Sequence, residues 1–160
     1  MYVLTVVLSM VVFPIASILI EVLFFQSTTD LVLLIGKWFV LWAVGVRLFL
    51  TGLCQVITPQ FTTEQILGIK SKEPFIIVQE LGFANLSFGV FGIITILNGN
   101  WNIPAAIVGG LFYGLAGIRH IVTKERNHLE NIAMVSNLFV FIVLLVYLIG
   151  IIVNRSITPW

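Results

Sequence analysis

Five apolar runs constrain this chain more than any other feature. They fall at about 2–25, 31–58, 74–97, 103–122 and 129–153. Each reaches the roughly 20 residues that cross a bilayer as a helix. Only 9% of the 160 residues are charged, against about 25% in a soluble domain. Such a chain cannot cover a water-facing surface. The expectation is an all-α fold, a polytopic transmembrane bundle of five spans, in one domain over residues 1–160. The first run has no basic flank and no A-x-A pattern, so it reads as a retained span and not as a signal peptide. A net charge of +1 gives no reason to expect nucleic-acid binding. The single cysteine, Cys54, excludes an internal disulfide and a CxxC metal site.

Polar residues inside such runs are costly, about 2.5–3.5 kcal/mol for a charge at mid-span, and so they are informative. The stretch Gln79 to Gly92 is the richest. At 100° per residue, Gly82, Asn85, Gly89 and Gly92 share one face, and Glu80, Ala84, Ser87 and Phe91 share another. Both faces are expected to touch protein. On the second run, Lys37, Val44, Arg47, Thr51, Gln55 and Thr58 form a stripe. Arg47 sits at least roughly 15 Å from either end of it. On the fourth run, Ala106, Gly110, Gly114 and Gly117 form a small-residue face that lets backbones approach. The third and fourth helices are expected to pack together through glycine. Pro14 should kink the first helix. Glu21 and Lys37 lie at matched depth across a short turn, 26–30, and are expected to pair.

The connections set orientation. Lys70, Lys72, Lys124 and Arg126 lie in the second and fourth, while the first and third carry no Lys or Arg. By the positive-inside rule the N-terminus is cytoplasmic and the C-terminus, with Arg155 and Trp160 in a short tail, is extracytoplasmic. Pro59 to Glu73 is the only extended polar segment. It reads either as an interfacial helix bearing Phe61, Ile66, Leu67 and Ile69, or as a plain loop. Asp30 is a candidate N-cap.

The segments Glu80-Leu-Gly-Phe-Ala-Asn-Leu-Ser-Phe-Gly89, Phe112-Tyr-Gly-Leu-Ala-Gly-Ile-Arg-His120 and Glu130-Asn-Ile-Ala-Met134 resemble a family of small prokaryotic integral-membrane proteins without an assigned function. The resemblance covers roughly the second half of the chain. It implies a prokaryotic cell membrane and brings no catalytic residues.

Depth along the spans gathers Glu80, His120 and Glu130 in the inner half, with Arg47, Asn85 and Asn137 deeper. These six are the candidate binding residues. A metal is not expected, because no Glu-x-x-His pairing is present. Haem and other cofactors are not expected either, since His120 and His128 flank a single turn. No phosphate loop, zincin motif or nucleophile elbow occurs. A structural reading pairs Glu80 with Arg47 and Glu130 with Arg119 as internal salt bridges. The favoured function is a polar cavity, open to the cytoplasm, that holds or conducts a proton, an ion or a small anionic molecule. The alternative is a membrane enzyme acting on a lipid or isoprenoid-like substrate, with Glu80 and His120 as acid and base. A third reading is an accessory subunit whose polar groups fix packing against a second copy or a partner membrane subunit. In every case the first partner is the lipid bilayer.

Overall fold

The computed structural model describes residues 2–25 and 29–157. They form six helices and no strand among the described residues. The long ones are α1 (Tyr2–Leu23) and α2 (Leu31–Ile57), then α4 (Phe75–Ile94), α5 (Asn102–Val122) and α6 (His128–Ile157). All five are long and apolar enough to cross a membrane. The short α3 (Phe61–Ile66) lies between α2 and α4. The expected turn at 26–28 and the tail residue Trp160 lie outside the described residues, and Arg155 continues α6.

Local chemistry places the ends. Asp30 caps α2, its Oδ1 accepting from the Val32 N–H at 2.7 Å. Pro74 is the residue before α4, where a missing N–H costs nothing. Ile69 N–H donates to the Thr63 carbonyl, and Gly68 takes φ 70°, so α3 ends in a turn that needs a glycine. The polar segment after α2 is therefore helical at its start and a loop from there on.

Two wide π-helical turns interrupt the long N-terminal helices. In α1 the turn spans Leu8–Val12 and stands directly before Pro14, so the ladder is already rearranged where proline removes a donor. In α2 the turn spans Val40–Val46 at the centre of the bundle. Val40, Ala43 and Val44 there are 0–1% exposed, so α2 is the central helix.

Glycine decides which helices meet. A Cβ on Gly92 would stand 2.5 Å from Gly45 N, and one on Gly52 would stand 2.7 Å from the Gly82 carbonyl. The third long helix, α4, thus lies backbone to backbone on α2. A Cβ on Gly114 would meet the Phe141 ring at 2.8 Å, and one on Gly117 would meet Leu138 at 2.6 Å, both on α6. The expected glycine packing of the third and fourth spans on each other is corrected by these contacts. Each glycine face receives a different neighbour, and a helical wheel says nothing about which.

Candidate functional site

The end of the bundle that carries Lys70, Lys72, Lys124 and Arg126, here termed the basic end, encloses a cavity of about 690 Å³. All six helices line it. Arg47, Thr51, Gln55 and Thr58 run along its α2 wall at intervals of three and four residues. Asn85 enters from α4, Tyr113 and His120 from α5, Asn137 from α6, Tyr2 from α1 and Thr62 from α3. Apolar side chains, among them Met10, Leu48 and Phe112, fill the spaces between.

Arg47 is the deepest charge. It follows the wide turn of α2 and lies about 15 Å from the helix end at Ile57. Its residue is 8% exposed. Nη1 donates to Thr51 Oγ1 at 2.6 Å, and the guanidinium carbon stands 5.3 Å from the Tyr2 ring centre. Nε has no partner. No carboxylate comes within ion-pair distance of Arg47 among the described residues. Beside it, the Tyr113 hydroxyl donates to the Ala43 carbonyl at 2.5 Å, fastening α5 to the wide turn.

Asn85 is 1% exposed. Its Nδ2 donates to Gln55 Oε1 at 2.7 Å, and its Oδ1 is unpartnered. His120 Nδ1 lies 3.0 Å from Glu130 Oε1, with both side chains largely buried. Glu130 accepts from the ring, and its own N–H donates to Asn127 Oδ1 at 2.9 Å. Asn127 Nδ2 reaches across to the carbonyls of Gln65 and Ile66 at 3.1 and 2.8 Å. One asparagine therefore caps α6 and pins α3 over the cavity. Arg126 Nη1 gathers the carbonyls of His120, Ile121 and Thr123, which closes the end of α5.

Four of the six candidate residues, Arg47, Asn85, His120 and Asn137, line one cavity. Glu130 stands behind His120 and not behind Arg119, which bonds Thr123 instead. Glu80 is separate: it is exposed on the outer surface of α4, as is Ser87, and neither joins the cavity. The pairings Glu80–Arg47 and Glu130–Arg119 are corrected accordingly. The glycine face of α4 turned inwards because only it permits the close approach to α2, and this carried Glu80 outwards. Tyr2 and Thr62 had no sequence signal, since only the tertiary fold brings them to Arg47. Tyr113 stood beside a small-residue face, and that was its one clue.

No curated protein and no solved structure is detectably similar to this chain. One family of sequences does match, over residues 2–157, and it carries the description "Family of unknown function (DUF6790)". That span takes in the central helix α2 and every residue of the cavity, and the chain belongs to this family.

Proposed function

We propose that this is a multi-pass membrane protein that binds a small anionic molecule in the cavity beneath α3, with Arg47 as the group that holds the anion. One observation carries the reading: a guanidinium buried in a roomy cavity with an unpartnered Nε and, among the described residues, no carboxylate in reach. Leaving a buried charge unpaired costs several kcal/mol. A bound anion removes that cost, and arginine's planar donors suit carboxylate or phosphate. Beyond Arg47, Val40, Val44, Val140 and Leu144 are buried at 0–1% exposure, which favours binding over conduction. The five long apolar helices support a bilayer as the surroundings. The loop lysines and arginines support a cytoplasmic basic end, with the N-terminus inside. The resemblance to prokaryotic membrane proteins supports a prokaryotic cell membrane.

A second reading has its own observation. His120 lines the cavity and is held by Glu130, the arrangement that orients an imidazole for general base work. An enzyme acting on a lipid or isoprenoid-like substrate would use that pair, with Glu80 taking no part.

The test is thermal unfolding of the protein in neutral-lipid nanodiscs with carboxylates and phosphates added singly. Wild type should be stabilised by at least one of them and Arg47→Met by none. An equal response of both proteins would sink the proposal.

A further inference from the structure

We infer that the anion is the head of a single-chain amphiphile, seated acid inwards at Arg47 with its apolar chain leaving through the flank of the bundle. This rests on the anion-binding reading above and names the class of molecule. Three observations carry it. First, the cavity of about 690 Å³ falls within the roughly 300–1,000 Å³ of pockets that hold drug-sized ligands. A bare carboxylate or phosphate would leave most of it empty. Second, the lining is mostly apolar, with polar groups set singly along it. Thr51 and Thr58 have already spent their hydroxyls on the carbonyls of Arg47 and Cys54, at 2.8 and 2.9 Å. Among the deep donors, Arg47 Nε is left without a partner. A molecule polar along its whole length would find little to bond on the way out. Third, the rim is apolar. Leu50, Leu67 and Leu81 line the cavity and are 41%, 42% and 39% exposed. Close by in sequence, Ile57, Ile76 and Ile77 are about 70% exposed on the same helices. The mouth therefore meets an apolar surface, which suits a hydrocarbon chain and not a hydrated ion.

The probes are acetate, octanoate and laurate, three carboxylates that differ only in chain length. Binding is read from the thermal stability of the full chain in neutral-lipid nanodiscs at graded concentrations. Wild type should bind more tightly with length, by roughly three- to fourfold per methylene while the chain stays inside the cavity. Arg47→Met should lose the response to every probe. The double variant Leu50→Trp/Leu81→Trp, which changes only exposed positions, should weaken laurate at least tenfold and leave acetate unaltered. If wild type binds acetate and laurate equally well, the amphiphile is wrong while the Arg47 reading stands. If laurate stabilises wild type and Arg47→Met alike, the Arg47 reading falls and this inference falls with it. Should Arg47→Met fail to fold, the rim variant decides alone: undiminished laurate binding there would overturn the inferred chain path.

Discussion

Lys37 places its ammonium 2.8 and 3.0 Å from the two carboxylate oxygens of Glu21, and the Trp38 indole donates to the same carboxylate at 2.7 Å. Three donors on one acid fix α1 against α2 at the end remote from the cavity. Removing either partner strands the other beside an apolar surface. Glu21→Gln and Lys37→Met should each destabilise, and the double variant should cost less than their sum by about 1–3 kcal/mol. Denaturant unfolding in mixed micelles gives the cycle. Strict additivity would show that the two side chains do not depend on each other.

Gly92 on α4 and Gly110 on α5 predict a graded response. Gly92 faces backbone, for a Cβ there meets Gly45 N at 2.5 Å. Gly110 is buried but has room for a methyl, which would meet Leu144 Cβ at an ordinary 3.7 Å. Gly92→Ala should cost about 2 kcal/mol or more through forced separation of two helices. Gly110→Ala should fall within about 0.5 kcal/mol of wild type. Equal cost at both sites would mean that α4 and α2 are not in backbone contact.

The helices and the polar residues that matter to the cavity were legible because apolar runs and their interruptions are written directly in sequence. Ser17 and Glu21 both turn towards α2, Ser17 accepting from the Trp42 indole at 3.0 Å and Glu21 from Lys37 and Trp38. The stripe on α2 was legible only in part. On a uniform wheel Lys37 and Arg47 stand about 80° apart on one side of the helix, but the wide turn at Val40–Val46 advances less than 100° per residue and moves them further apart. Lys37 meets Glu21 while Arg47 enters the cavity. Nothing in the residues Val40 to Val46 announces that turn. Glu80 shows the other limit: both faces of its helix were expected to touch protein, but Glu80 and Ser87 are exposed, because which face turns inwards depends on the neighbour.

Asn127 joins two elements, so its loss should be felt in both. Asn127→Ala removes the cap on the Glu130 N–H and the two bonds to the end of α3. Loss of such a cap costs about 0.5–2 kcal/mol. Amide exchange across 61–67 should quicken by roughly tenfold, the equivalent of about 1.4 kcal/mol, while α4 and α5 stay protected. Unchanged exchange in that segment would show that α3 is held by other contacts, such as Tyr2 against Phe61.

Orientation is open to a simple reporter test. On the proposed topology, with the basic loops cytoplasmic, a periplasm-dependent reporter should be active when fused after Trp160 and silent when inserted in the 67–73 loop. The reverse pattern would invert the topology and turn the cavity outwards.

Glu80 and Glu130 are the sharpest contrast the structure offers, two carboxylates in apolar helices with opposite surroundings. Glu80 is exposed on α4, about 8 Å from the helix start at Phe75, within reach of the polar boundary for a flexible side chain. Glu130 is 4% exposed and bonds His120 Nδ1 at 3.0 Å. With the carboxylate ionised, Nδ1 is the donor and the ring is held in one orientation against the cavity wall. Glu80→Gln should therefore leave stability within about 0.5 kcal/mol of wild type and laurate binding unchanged. Glu130→Gln keeps an acceptor for the ring and should cost about 1–2 kcal/mol. Glu130→Ala leaves the imidazole without its partner and should cost more, about 3 kcal/mol. Unfolding of the three variants in one lipid composition orders them. If Glu80→Gln proved the most damaging, the outer face of α4 would have to be buried, against lipid-inaccessible protein, and a second copy of the chain would be the natural cover.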